Sequence, residues 1–210
     1  MTEKNREVIE KTFNSATRSK KVHEAVLFVE NTKGDFSVNY GYGGKDFNSP
    51  LFTASISKLF AAACVLILCE QKKLSLDIYY KNESLYRPKF IKSYNFDVIS
   101  TAKDLMRFLK AFYGGLLFSQ GVFDNLGTYR KLQTAKGPIR YGGGYMQIPM
   151  KSILTLFMGK GELIGHSGST GSFAFYYPEK DLYFVGDLNQ MANPELPIRL
   201  VMKLAMTVKL

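Results

Sequence analysis

Ser55, Ile56, Ser57 and Lys58 stand immediately before the longest apolar run of the chain, Leu59 to Cys69. A serine and a lysine three residues apart at a helix start share one face, about one turn from each other. The positive end of the helix dipole and partial burial both disfavour the ammonium form of such a lysine. A lysine able to shed its proton can take that of Ser55 and turn the hydroxyl into a nucleophile. The competing reading is a hydroxyl that caps a buried helix. Spacing alone does not decide, because Ser100, Thr101, Ala102 and Lys103 repeat the pattern. There, Thr101 and Asp104 read as a capping box. An unpaired ammonium entering a buried helix is costly, which favours a chemical role for Lys58.

Other chemistries find no support. The chain has no Walker A sequence and no complete G-x-G-x-x-G. Gly165-His166-Ser167-Gly168-Ser169 misses the nucleophile-elbow pattern because position 169 is serine. With two histidines, His23 and His166, and no Cys/His cluster, neither a structural metal nor a cofactor is expected. The net charge of +10 comes from 28 basic residues scattered along the chain, without a stripe of interleaved aromatics. That is a solvated basic surface and not a nucleic-acid footprint.

The elements that must position these residues follow from periodicity. At 210 residues the chain is expected to form a single domain over 1–210. Residues 2–20 predict an amphipathic helix with Thr2 at its N-cap and Val8, Ile9, Phe13 and Ala16 on one face. Ala25 to Val29 and Phe36 to Tyr40, joined by Asn31-Thr32-Lys33-Gly34, predict a hairpin. Ser57 to Cys69, apolar all round, predicts a central helix buried on every side, with Cys64 and Cys69 as buried thiols. Leu105, Phe108, Leu109 and Phe112 predict a further helix stopped at Gly114-Gly115. Short apolar segments at 153–157, 163–164, 173–177 and 182–185 predict antiparallel strands, with the clearest turn at Pro178 to Asp181. Asn193-Pro194 predicts the start of a last helix with Ile198, Val201, Leu204, Ala205 and Val208 inward. The fold class is therefore α+β, an antiparallel sheet flanked by N- and C-terminal helices lying on one face.

Taken in order, these stretches resemble the serine β-lactamase and penicillin-binding-protein superfamily, in its class C β-lactamase and esterase branch. The resemblance rests on "FTASISK" followed by "AAA" and "KLSLD", and on "GHSGSTGSF", similar to the branch's K-T-G strand with His in place of Lys. It extends to "AVLFVENTKGDFSVNYGYG", "ISTAKDLMRFLKAF" and "YGGGYMQ", all in family order. It implies a serine hydrolase acting by acyl transfer on an amide, lactam or ester. Ser55 would be the acylated nucleophile and Lys58 its base. The N–H groups of Ser55 and Ser169 would form the oxyanion hole. His166, with Ser167 and Gly168 beside it, would bind a substrate carboxylate or assist proton transfer.

The family's third motif, Y-x-N, lies in a helical subdomain for which this chain has only a short connection, 78–98. Tyr80-Lys81-Asn82 matches the motif, which makes Tyr80 the candidate for the family's proton-transfer tyrosine. The truncation implies an open cleft, with three outcomes: a hydrolase of altered specificity, a non-catalytic binding protein of the same fold, or a homodimer that completes the site. The expected partner is a small-molecule or peptide-like acyl compound. The polar start of the chain resembles no secretory signal and no apolar run reaches membrane-spanning length, so a cytoplasmic location is expected unless an export signal has been trimmed.

Overall fold

The computed structural model describes residues 2–74, 98–128, 133–136, 139–151 and 159–208. Helix α1 (Glu3–Thr17) leads into strands β1 (Ala25–Glu30), β2 (Ser37–Tyr42) and β3 (Pro50–Phe52), then a 3-10 turn (Ala54–Ile56) and α2 (Ser57–Glu70). After β4 (Ile99–Thr101) come α3 (Ala102–Tyr113), α4 (Gln120–Thr128), β5 (Gln133–Lys136), β6 (Ile139–Gly142) and β7 (Tyr145–Pro149). The chain closes with β8 (Glu162–Ser167), β9 (Ser172–Tyr177), β10 (Leu182–Asp187) and α5 (Leu196–Thr207). Among the described residues, eight strands form one sheet in the order β2-β1-β10-β9-β8-β7-β6-β5, with β3 and β4 paired separately. Every pairing is antiparallel.

The inner strands are apolar without a break because helices cover both faces of the sheet. Along β1, Ala25, Leu27 and Val29 pack with Ile9 and Phe13 of α1 and Val201 and Leu204 of α5. The alternate residues Val26 and Phe28 pack with Leu59 and Leu66 of α2 and Leu105 and Leu109 of α3. The terminal helices thus share one face, as the sequence predicts. The β1–β2 hairpin pairs Glu30 with Ser37, and the turn at Pro178 closes through Asp181 in the left-handed region. Thr101 caps α3 as anticipated, its Oγ1 accepting from the Asp104 N–H at 3.0 Å.

Two expectations are corrected. The last helix begins at Leu196 with Glu195 and not Asn193 at its N-cap; Asn193 stands two residues earlier, its Oδ1 accepting the Glu195 N–H in the preceding turn. The helix α2 is not buried on every side. Leu59, Ala63 and Leu66 are buried, whereas Ala61, Cys64 and Leu68 are exposed and Cys69 is half-buried. An apolar residue states a preference for burial, but only the neighbouring layer decides which flank obtains it. No described helix is long and apolar enough to cross a membrane.

Candidate active site

Ser55 sits in the 3-10 turn and Lys58 in the first turn of α2. In a 3-10 turn, side chains at i and i+3 eclipse one another, and here Lys58 Nζ lies 2.8 Å from Ser55 Oγ. Neither Ser55 nor Ser57 is an N-cap: those positions belong to Thr53 and Ile56, neither of which makes a side-chain cap bond, while Ser57 closes the 3-10 turn as its C-cap through its backbone N–H. The capping alternative for Ser55 therefore fails on geometry. Lys58 is exposed overall, so the argument from a buried ammonium does not apply to it. Partial burial nevertheless holds its pKa below the usual lysine range, which raises the fraction able to accept a proton.

The turn is held from three sides. Thr53, fully buried, donates its N–H and Oγ1 hydroxyl to Val98 O, each at 2.9 Å. Ser172 Oγ donates to Thr53 O at 3.2 Å, and Thr170 Oγ1 donates to Phe52 O at 3.1 Å. Ala54 adopts φ 44°, a left-handed conformation uncommon for a residue with a Cβ. These bonds fix Phe52 and Thr53, the segment leading into Ser55, against Val98 and the start of β9.

The end of β8 approaches from the sheet. Gly168 is the residue that permits it: a Cβ there would lie 2.8 Å from Thr53 O and 3.0 Å from Ala54 Cβ. Ser169 follows in an exposed turn that is clamped by Gly171 N–H to Gly168 O and by Gln190 N–H to Thr170 O. The structure thus brings Ser55, Lys58, Gly168 and Ser169 into one neighbourhood.

Ser167 is not brought there. Successive residues of a strand point to opposite faces, and Ser167 Oγ lies 3.8 Å from Met146 Sδ, against the core beneath α1 and α5. His166 points to the other side, 3% exposed, its ring edge-on to Tyr141 with centroids 5.5 Å apart. Its Nδ1 lies 2.7 Å from Ser167 O. A carbonyl only accepts, so Nδ1 carries the proton and Nε2 of the neutral ring is a lone pair. That Nε2 has no hydrogen-bond partner among the described residues. Desolvation, opposed by the Ser167 bond and reinforced by the Lys58 charge, lowers the His166 pKa to about 4. A neutral ring supplies no cation for a carboxylate, and its Nε2 lone pair can only accept a hydrogen bond or a proton.

Tyr141 is the neighbour of Lys58 and His166 that sequence reasoning missed. Burial pushes its phenol pKa up, and it shares a cleft with Lys58. The β6–β7 turn reaches α2 because residue 144 is glycine at φ 84°; a Cβ there would stand 3.0 Å from both Ala62 Cβ and Lys58 O. The signal was the three consecutive glycines of "YGGGY". Tyr80 lies outside the described residues. No group of three His, Cys, Asp or Glu side chains able to hold a metal occurs among the described residues.

No family model and no curated protein sequence matches this one. Solved structures do match the fold. A β-lactamase/D-alanine carboxypeptidase from Pseudomonas syringae superposes with a TM-score of 0.71 at 12% identity, covering 98% of this chain and 99% of its own. A class C β-lactamase gives 0.70 at 14% identity, covering 98% and 97%. The chain has the serine β-lactamase fold. A D-stereospecific amidohydrolase from Streptomyces shares it with a TM-score of 0.65 at 12% identity, over 91% of this chain and 97% of that one. The neighbours are hydrolases by name, and the fold places Ser55 at the junction between sheet and helix layers.

Proposed function

We propose that the protein is a serine hydrolase that works by acyl transfer through Ser55. The observation that carries this reading is the 2.8 Å contact between Ser55 Oγ and a lysine whose pKa is already lowered. Neutral Lys58 takes the Ser55 proton as Oγ attacks the carbonyl carbon of an amide, lactam or ester. The N–H groups of Ser55 and Ser169 receive the developing oxyanion, each such donor contributing roughly 3–4 kcal/mol. The bond to the leaving group then breaks, and the leaving group takes the proton from Lys58. A water molecule, deprotonated by the same lysine, attacks the acyl carbon, releasing a carboxylic acid and restoring the serine hydroxyl. The His166 lone pair is suited to accept a hydrogen bond from the substrate or the leaving group.

The test is covalent labelling followed by intact mass spectrometry, using an activated ester and a penicillin as acylating probes. One acyl group should add to the wild type and to Ser100→Ala, and none to Ser55→Ala. Failure of every probe to label the wild type would leave a binding protein of hydrolase fold as the better reading.

A further inference from the structure

Lys58 stands at one end of a cleft of about 360 Å³ that runs along α2 beneath the β6–β7 turn, within the size range of small-ligand pockets. Its floor is Ala61, Ala62, Val65 and Leu66, and its far wall is Tyr141 and the 143–144 turn. Positions 58, 61, 62, 65 and 66 form a single helical stripe, about 12 Å from end to end at 1.5 Å per residue. Apart from Lys58 the stripe is wholly apolar, and the two alanines leave room above the helix backbone. Lys58 is also the one charged residue lining the cleft among the described residues, and it is engaged by Ser55. The other polar lining group, the Tyr141 phenol, stays neutral because burial raises its pKa. A chain leading away from a carbonyl at Ser55 along this stripe meets carbon surface and no charge partner.

We propose that this cleft seats the acyl chain of the substrate, and that the chain it fits is uncharged and apolar, as in esters or amides of medium-chain carboxylic acids. The proposal rests on the assignment of Ser55 as the acylated group. A bound chain removes its methylenes and the α2 stripe from water together, so affinity grows with chain length until the cleft is full. A carboxylate at the distal end would be desolvated against Val65 and Leu66 with no compensating cation.

The experiment compares p-nitrophenyl acetate with p-nitrophenyl octanoate by stopped-flow release of p-nitrophenolate, which departs with the bonding electrons as Ser55 is acylated. The octanoyl ester should react tenfold or more faster in kcat/KM. Ala61→Phe, which fills the floor at an exposed position, should bring that ratio close to one. Leu68→Ala, on the same helix but outside the cleft, should leave the ratio unchanged. Equal rates in the wild type, or an unchanged ratio in a folded Ala61→Phe, would overturn the acyl site while sparing the hydrolase reading. A second readout needs no chemistry. In Ser55→Ala, saturation-transfer NMR should detect octanamide but not the monoamide of octanedioic acid, and Ala61→Phe added to that variant should abolish the signal. Binding there without acylation of the wild type would show the cleft to hold an apolar chain but overturn its role as the acyl site, together with the hydrolase reading. Equal binding of the two amides would overturn the proposal.

Discussion

Two stretches of this chain carry a serine and a lysine at the same spacing, and only one makes a candidate active site. At Ser55 the chain turns through a 3-10 element directly into α2, so the two side chains are stacked and meet at 2.8 Å. At Ser100 the serine belongs to a strand and the lysine to a helix, with Thr101 between them as the N-cap. Ser100 Oγ turns back to Thr101 O at 3.5 Å, while Lys103 Nζ lies over the Phe47 ring, 5.7 Å from its centroid. Identical spacing yields different chemistry because backbone direction, and not sequence separation, sets whether i and i+3 coincide.

The comparison can be broken most sharply at the serines. Ser55→Ala should lower acylation by on the order of 10⁴-fold or more, whereas Ser100→Ala should leave it unchanged; burst kinetics with an activated ester measure both. At the lysines, Lys58→Ala should cost about 10²–10⁴-fold in acylation rate with little change in melting temperature, since Lys58 is exposed. Lys103→Met should leave the rate intact and cost no more than about 1 kcal/mol through its lost aromatic contact. The acid limb of the wild-type rate profile should titrate below 10.5, because activity requires neutral Lys58 and its pKa is lowered.

His166 sharpens the contrast through stability. Its pKa falls from 6.5 to about 4 on folding, so the unfolded chain binds more protons between those values. Stability is unaffected by this group above pH 6.5 and falls as the pH drops, by about 3 kcal/mol in full below the folded pKa. Denaturant melts of wild type and His166→Phe should differ by that slope over pH 4 to 6.5. The smallest effect belongs to the second stretch: Thr101→Ala should destabilise α3 by about 1 kcal/mol through its lost cap without altering acylation.

Much of the fold was legible because it depends on local periodicity. The β1–β2 hairpin and the β9–β10 pair announce themselves by short apolar runs and by Asn-, Gly- and Pro-bearing turns. The capping box that removed Ser100 from contention was also readable, since it lies within four residues. What escaped depends on contacts between distant segments. The exposure of Cys64 and Leu68 follows from which helices cover α2, and no run of apolar letters encodes that. The approach of Tyr141 to Lys58 needs the bare backbone of Gly144 against α2, 82 positions from Ala62. The divergence of His166 and Ser167 was within reach, because strand alternation alone separates neighbours, but the neutral state of His166 required its burial to be seen. The resemblance supplied a carboxylate-binding role that this burial does not support.

The central claim is that chemistry resides at Ser55 and at no other serine. After brief exposure to p-nitrophenyl octanoate, acid quenching, proteolysis and tandem mass spectrometry would locate any acyl group. The account predicts a single octanoyl ester on Ser55, in the peptide that ends at Lys58. An ester on Ser100, Ser57 or Ser169, or acylation confined to lysines, would contradict it.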